Sequence, residues 1–321
     1  MCNEENRRKQ EMKRKKVFWK AMILLFAMII PHLSGEVTGK EVNNRDNVAV
    51  RVVTSIEPLS FFVKKVGGEH VDVKVMVPPG ANPHTYEPTP SQMVTLGEAG
   101  LFVKAGSGIE FELDWMKKFS ALNPDMVICN ASEGFRGIEM SAHGHSHGHD
   151  HGHGHGHKHG SIDPHFWLSP KNGVLAAANV EKVLASIDPS NAAEYRKNRK
   201  ALESDLETLS AEISETLADM KNRAFMVFHP AWGYFADEFD LRQIAIERDG
   251  KERTPQSLSE VIREAKKRGI RVVFVSPAFS ALQAETIARE IGGITAVADP
   301  LSGDYIENLR SVAKAFAESM Q

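Results

Sequence analysis

The chain has 321 residues, of which 42% are hydrophobic and 25% are charged, enough for one large or two ordinary α/β domains. This composition excludes a disordered protein. The formal net charge is −3, from 39 basic and 42 acidic residues. A mildly acidic chain is a poor binder of nucleic acid, so no nucleic-acid partner is expected.

The first 35 residues have the pattern of an export signal. Basic side chains are concentrated in residues 7–20, and the apolar run "AMILLFAMII" over 21–30 ends at Pro31. This run has the length of a signal core and is too short to span a bilayer comfortably. We predict export to the periplasm, with an uncleaved membrane anchor as the alternative because no clear small-residue cleavage motif follows. Export would leave Cys129 as the one thiol, which we predict to be buried and inert.

Eight short runs rich in β-branched residues predict two sets of four strands. The runs are 48–55, 71–78, 101–106 and 126–130 in the first set, and 224–230, 241–247, 271–277 and 294–300 in the second. Helical start signals lie between them at "TPSQ" (89–92) and "SLSE" (257–260), and Gly269 is predicted to end the second of these helices. Strands that alternate with helices form parallel sheets, so we predict an α/β fold of two lobes, each with a mainly parallel four-stranded sheet flanked by helices.

One long rigid helix is predicted to join the lobes. Asp188-Pro189 offers an N-cap followed by proline at the first helical position, and no Gly or Pro interrupts the chain to about Asn222. Apolar residues recur every three or four positions in this stretch, and a coiled-coil dimer seam is the alternative interpretation of that stripe. The stripe is short for such a seam, so we expect a monomer. The predicted domains are an N-terminal lobe over 48–187, a linking helix over 188–222 and a C-terminal lobe over 223–321.

A histidine tract interrupts the N-terminal lobe. The stretch "SAHGHSHGHDHGHGHGHKHGS" over 141–161 has a histidine at every odd position from 143 to 159. Alternating glycine and histidine lack the apolar content to fold, so we predict a mobile loop over 143–160. Its imidazoles have an ordinary pKa of ~6.5 and are mostly neutral at neutral pH, so they would bind several Zn²⁺ ions weakly. We interpret the tract as an accessory collector of metal.

Four histidines remain outside the tract and the predicted signal. His70 stands at a strand entrance and is predicted to be a surface residue. The other three, His84, His165 and His229, lie in the proline-rich loops "NPHTYEPTP", "DPHFWLSP" and "FHPAWGYF", each after a predicted strand. Because ligands of open parallel sheets bind beyond the carboxyl ends of the strands, we expect these three to converge. The residues alone leave open a solvated or helix-capping role for each of them.

One carboxylate shares this position relative to the strands. Asp299 ends the last predicted strand, in "ADPLSGDY". Three neutral imidazoles and one carboxylate form a four-coordinate set that suits Zn²⁺. The predicted metal ligands are therefore His84, His165, His229 and Asp299.

Five motifs carry a resemblance to a known family. The stretches "GANPHTYEPTPSQM", "DPHFWLSPKN", "VFHPAWGYFADEF", "TPQSLSEVIREAKKRGIRVVFVSPAFS" and "VADPLSGDYIENL", in this order, resemble the metal-specific solute-binding proteins of ABC importers. The histidine tract points to the zinc-specific, ZnuA-type branch. The resemblance covers nearly the whole chain after the predicted signal. It implies two α/β lobes bridged by a long rigid helix, metal held between them, and delivery of that metal to a membrane permease rather than catalysis.

The resemblance also implies a ligand set. The three histidine ligands of the family fall on His84, His165 and His229. Manganese-type relatives place a carboxylate where His229 stands, and a nitrogen ligand there favours zinc over the harder Mn²⁺. Asp299 matches the family's aspartate near the last strand, with Asp304, Glu87 or water as alternatives for the fourth position.

Three other functions are also compatible with the sequence. They are a binding protein of the same family for manganese or another divalent metal, a zinc store whose main site is the tract, and a secreted zinc hydrolase that uses the three histidines. The hydrolase is disfavoured because the sequence has no HExxH motif and no general base is assigned beside the histidines. An aspartate in the fourth position would close the site for carrying metal, whereas catalysis needs an open position.

Overall fold

The computed structural model describes residues 49–140, 162–247, 253–279 and 282–320, which belong to one compact unit. The predicted export signal and the histidine tract lie outside the described residues. Within these ranges, no helix combines the length and the apolar character needed to cross a bilayer.

Within the described residues, eight strands form two fully parallel four-stranded sheets. Seven of the predicted runs contain their strand in full, and the strand of the first run extends one residue beyond it, to Ile56. The strands are β1 (Val50–Ile56), β2 (Val71–Val77), β3 (Leu101–Lys104) and β4 (Val127–Asn130), then β5 (Ala224–Val227), β6 (Arg242–Ala245), β7 (Val272–Val275) and β8 (Ile294–Val297). The strand orders are β2-β1-β3-β4 and β6-β5-β7-β8, the same order in both sheets. All pairings are parallel, as the alternation with helices predicts.

Nine α-helices connect and cover the sheets within the described residues. They are α1 (Glu57–Gly67), α2 (Pro90–Gly97), α3 (Glu110–Leu122), α4 (Pro170–Ile187), α5 (Ala192–Thr216), α6 (Gly233–Glu238), α7 (Pro255–Lys267), α8 (Leu282–Glu290) and α9 (Tyr305–Ser319). Short 3₁₀ segments occur at Gly68–His70, Phe166–Leu168 and Pro189–Asn191.

Three helices, α2, α4 and α7, begin with a hydroxyl N-cap followed by proline at the first helical position, and we predicted this cap correctly only at α2. At α2 the predicted capping box is confirmed, because the Thr89 side chain accepts from the Gln92 backbone and the Gln92 side chain accepts from the Thr89 backbone. At α7 the predicted cap at Ser257 is wrong. The cap is Thr254, whose hydroxyl accepts from the Ser257 N–H at 3.3 Å, with proline at the first helical position as at α2. Gly269, with φ of +69°, follows the end of α7 as predicted.

The long helix is shorter than predicted. Pro189 opens a 3₁₀ turn rather than the α-helix, and α5 has 25 residues and ends at Thr216 instead of about Asn222. The next residue closes the last turn, because the Leu217 N–H donates to Ile213 O, and Arg223 then caps Leu217 O at 3.0 Å. At 1.5 Å per residue, α5 is about 38 Å long rather than about 50 Å.

The apolar stripe of α5 faces the core of its own chain. Its residues are at most 2% exposed: Leu202, Leu206, Leu209, Ile213 and Leu217. A stripe buried in this way is not available for a coiled-coil seam, so that alternative is wrong. The helix packs against α1, α4 and α9.

Two clusters of buried side chains make up the core. The larger cluster contains residues of both sheets and of α5, whereas the smaller one lies under α7 and α8. Strand β5 belongs to both, because Phe225 and Val227 point into the larger cluster and Ala224 and Met226 into the smaller one, as the two-residue period of a strand requires. The larger cluster thus fixes the two sheets against each other.

Two predictions outside the candidate site have clear outcomes. Cys129 is free and buried, as predicted, and burial raises the pKa of its thiol to about 12, which makes it unreactive at neutral pH. His70 is not the surface residue that we predicted. Its side chain is only 12% exposed, its Nε2 lies 2.9 Å from Glu194 Oε2, and its ring meets Tyr195 edge to face. The N-terminal end of α5 covers it, which the local sequence does not reveal.

Candidate metal centre

The structure brings His84, His165 and His229 together. His84 lies in the loop after β2, His165 precedes the 3₁₀ turn Phe166–Leu168, and His229 follows β5 by two residues. The ring centres of His84 and His229 are 5.0 Å apart, and those of His165 and His229 are 5.3 Å apart. The rule that ligands collect beyond the carboxyl ends of parallel strands therefore locates the three correctly.

These separations fit imidazoles around a common ion. Two rings that bind Zn²⁺ through one nitrogen each, at ~2.0–2.1 Å and tetrahedral angles, have centres about 5 Å apart. Among the described residues no group of three His, Cys, Asp or Glu side chains stands at metal-binding distances. The match to a shared ion is therefore one of ring separations.

Each imidazole is held by its own carboxylate through Nδ1. The pairs are His84 with Glu110 Oε2 at 2.8 Å, His165 with Asp163 Oδ1 at 2.8 Å, and His229 with Glu247 Oε2 at 2.7 Å. An ionised carboxylate can only accept, so Nδ1 carries a hydrogen in each ring, and in the neutral tautomer this leaves the lone pair on Nε2. Supporting carboxylates of this kind fix the tautomer and orientation of metal-binding histidines and raise their basicity.

His229 presents the clearest sign of a missing ligand. Its side chain is nearly buried, and its Nε2 is one of the buried side-chain atoms without a hydrogen-bond partner among the described residues. Burial holds the pKa of His229 below its usual range, opposed by the hydrogen bond to Glu247, so the ring is neutral at neutral pH. A buried acceptor left unpaired costs about 1–3 kcal/mol, which a metal bond to Nε2 would offset. The donor set thus fits Zn²⁺.

The three histidines line a very small cavity. Its volume is about 10 Å³, room for one ion or one water molecule. The other described residues of its lining are Glu110 and six apolar ones: Pro83, Ile109, Trp167, Phe279, Pro300 and Leu301. The Phe279 ring stacks on His229 with centres 4.6 Å apart and planes at 20°, and it lies 6.0 Å from His84.

Sequence reasoning missed four residues of this site: Glu110, Asp163, Glu247 and Phe279. Each follows the carboxyl end of a strand, as the histidines do. The same positional rule, applied to carboxylates as well as to histidines, would have selected Glu247 and Glu110. The hydrogen bond from His84 is the main cause that holds the pKa of Glu110 below its usual range.

The structure leaves Asp299 beside the cavity. Asp299 follows β8, and its Oδ1 accepts from the Leu301 N–H at 2.9 Å. Pro300 and Leu301 line the described cavity, but Asp299 does not, and burial raises the pKa of its carboxyl group. The alternatives Glu87 and Asp304 are exposed and also absent from that lining.

Comparison with known proteins identifies the family of the chain. The profile of the family described as "Zinc-uptake complex component A periplasmic" matches residues 52–319. The chain is 34% identical over 259 residues to the high-affinity zinc uptake system protein ZnuA of Bacillus subtilis, which covers 79% of each chain. It is 29% identical over 304 residues to the ZnuA protein of Brucella abortus, covering 84% of this chain and 91% of that one.

Solved structures agree with the sequence relatives. A crystal structure of ZnuA superposes with a TM-score of 0.77 at 36% identity, covering 85% of this chain and 100% of the other. A zinc-bound ZnuA deletion mutant superposes with a TM-score of 0.76 at 37% identity, covering 85% and 98%. With the family profile matched over most of its length, the chain belongs to the ZnuA family of periplasmic zinc-uptake components.

Proposed function

We propose that the protein captures one Zn²⁺ through the Nε2 atoms of His84, His165 and His229 and delivers it to the permease of an ABC importer. The observation that carries the proposal is the buried Nε2 of His229, which lacks a partner among the described residues and belongs to a ring that lines a cavity shared with the other two rings. Three neutral imidazoles in an apolar pocket favour zinc over Mn²⁺, which prefers oxygen ligands.

Asp299 is our choice for the fourth ligand. Its neighbours Pro300 and Leu301 already line the cavity, so a small rotation of the loop after β8 would bring its carboxylate to the ion. This movement exchanges the hydrogen bond from Leu301 for a metal bond. Asp304, Glu87 or water would take the fourth position if Asp299 stays where it is.

The geometry favours a carrier over a hydrolase. A zinc hydrolase needs space for a substrate beside the metal and a base beside the metal-bound water. A cavity of about 10 Å³ has no such space, and Glu110 already faces a histidine Nδ1. We therefore propose that the protein has no enzymatic activity. Because the apolar stripe of α5 is buried in its own chain and the net charge is −3, we also propose that the protein works as a monomer without nucleic acid.

Three parts of the proposal concern segments rather than the site. We propose that residues 1–35 direct export, that residues 143–159 collect zinc without forming the tight site, and that the lobes comprise 48–187 and 223–321, with residues 188–222 linking them. A zinc store would place its main site in the tract instead.

A competition titration against a strong chelator tests these assignments. We expect one tight Zn²⁺ per chain, and His84→Ala, His165→Ala and His229→Ala should each weaken it by about 100-fold or more. His70→Ala is the matched control. His70 also pairs with a carboxylate but lies against the N-terminal end of α5, so this substitution should leave the affinity unchanged.

A chain without residues 143–159 should keep the tight site and lose the weak ones. Loss of the tight site in that folded chain would overturn the proposal in favour of the store, and a variant Asp299→Ala with unchanged affinity would exclude Asp299.

A further inference from the structure

The apolar half of the cavity raises the question of what it does for a metal ion. Three histidines would supply nitrogen ligands, whereas the apolar side chains cannot bind an ion at all. The Phe279 ring lies beside two of the histidine rings, stacked on His229 and tilted relative to His84. Its contribution must therefore be to shape the space around the ion.

The loop after β7 holds Phe279 in place. The Phe279 N–H donates to Ser276 O at 3.1 Å, and the Ala278 N–H donates to Ser276 Oγ at 3.3 Å, which makes a tight turn directly at the strand end. Ser276 is itself buried, and β7 lies beside β5, the strand that leads to His229. The phenyl ring and the imidazole ring are thus anchored on adjacent strands.

Divalent ions differ in the number of ligands that they bind, and therefore in the space that those ligands need. Zn²⁺ is satisfied by four tetrahedral ligands, whereas Mn²⁺ and similar ions take about six and fill the remaining positions with water. A cavity needs about 10–15 Å³ of space accessible to a water-sized sphere to hold one water molecule, and this one offers about 10 Å³. Additional water ligands would have to displace part of the lining.

We propose that Phe279 limits the bound ion to four ligands, because its ring fills the space through which a fifth and a sixth ligand would enter beside His84 and His229. Phe279 is then a specificity-determining residue that favours a tetrahedral ion over an octahedral one without touching the metal. The inference rests on the proposed zinc site and adds to it a physical cause of selectivity that lies outside the ligand set.

A competing explanation is that Phe279 only orients His229 by stacking. Two substitutions separate the explanations. Phe279→Leu removes the aromatic face but keeps most of the apolar volume, so water stays excluded. Phe279→Ala removes both and opens the cavity to water.

Cobalt provides a direct measure of coordination number, because four-coordinate Co²⁺ absorbs visible light much more strongly than six-coordinate Co²⁺. The parent chain for this experiment lacks residues 143–159, so that the tract binds no Co²⁺. We expect an intense spectrum for Co²⁺ bound to this parent chain and to its Phe279→Leu variant. The Phe279→Ala variant should give a weak six-coordinate spectrum. Its preference for Zn²⁺ over Mn²⁺, measured by competition, should fall by about tenfold or more.

The outcomes are distinguishable. If Co²⁺ binding to the parent chain is not lost in His84→Ala and His229→Ala, the proposed site itself is wrong. If the parent spectrum is intense and His-dependent but Phe279→Ala keeps both that spectrum and the metal preference, only the role of Phe279 is wrong. A six-coordinate spectrum for Phe279→Leu would likewise overturn exclusion by volume. Thermal melting of each variant without metal establishes that the comparison is between folded proteins.

Discussion

At the scale of single residues, the three site histidines pair with a carboxylate through Nδ1, whereas His70 pairs with Glu194 through Nε2. Glu247 shows the arrangement most clearly, since it lies 2.7 Å from Nδ1 of the buried His229 and comes from the neighbouring strand end of β6. The carboxylate holds the proton on Nδ1 and directs the Nε2 lone pair into the cavity. We therefore expect Glu247 to matter more for zinc binding than for the fold.

Glu247→Gln should weaken zinc binding by about 10-fold or more, within the 10–100-fold range typical of supporting partners. The amide removes the negative charge that raises the basicity of the imidazole but keeps the size of the side chain. The matched control is Glu194→Gln, which changes the carboxylate beside His70 and should leave zinc affinity unchanged. Chelator competition on the three proteins measures the difference, and equal affinities for all three would contradict this role of Glu247.

Acid should remove stabilisation by zinc. Burial lowers the pKa of His229 in the folded chain, so on acidification the unfolded chain takes up this proton first. The stability that comes from neutral His229 is complete above the unfolded-state pKa of ~6.5 and is lost as the pH falls from there through the lower folded-state pKa. Metal at a thousand times its dissociation constant adds about 4 kcal/mol, and protons compete with it for the same lone pairs.

Melting curves with and without zinc between about pH 7.5 and about pH 4.5 measure this effect. The rise in melting temperature caused by zinc should shrink below about pH 6.5 and be absent at about pH 4.5. His229→Ala should lack most of the rise at every pH. An undiminished rise in acid would count against histidine ligation.

At the scale of elements, the strands were predictable and the ends of the helices were less so. Strand runs such as "VVFV" in β7 carry their signal in residue type alone, and all eight were located. The start of α7 depends on which of two hydroxyl residues, Thr254 or Ser257, meets the first free N–H, and that is decided by backbone geometry. The end of α5 depends on a capping contact from Arg223, which lies beyond the helix.

The cap of α7 gives a measurable prediction. Thr254→Ala should lower the free energy of unfolding by about 1 kcal/mol, because it leaves the Ser257 N–H without its acceptor. Thr254→Ser keeps the hydroxyl and should restore most of that loss. Urea unfolding of the three proteins measures it, and equal stabilities for the alanine and serine variants would show that the hydroxyl does not cap the helix.

The site itself was predictable only in part, for a physical reason. His84, His165 and His229 follow strand ends, and the positions of strand ends are set by topology, which the sequence reveals. The carboxylate partners and the position of Asp299 depend on loop conformations and on contacts between distant segments. The 5.3 Å between the ring centres of His165 and His229, for example, is the result of the packing of two sheets and has no local signature.

For the molecule as a whole, the segment that carries His165 is bonded to the C-terminal part of the chain. Tyr234 Oη donates to Asp163 O at 2.9 Å, and Trp167 Nε1 donates to Pro300 O at 2.8 Å. Tyr305 Oη donates to Trp167 O at 2.5 Å. These bonds tie the segment that carries His165 to the C-terminal part of the chain at three places. The backbone hydrogen bonds in the loop of His84 are local, for example from Thr85 N to Asn82 O.

Zinc binding should therefore order the His84 loop without closing a wide hinge. Hydrogen exchange should slow on zinc binding in residues 80–86 and change little in residues 163–169. The radius of gyration from small-angle scattering should stay nearly constant, since α5 would have to bend for the sheets to move far apart. A large compaction on zinc binding would contradict this rigidity.

The identical strand order of the two sheets has a consequence for the newly made chain. The first sheet leads to His84 and His165, and the second leads to His229 and Asp299, so each supplies only half of the proposed ligands. A chain emerging from its N-terminus can fold the first half and still lack a site able to retain an ion. With the proposed ligand set, we therefore expect tight retention of zinc only once the last strands are in place, so that zinc loading would report that folding is complete.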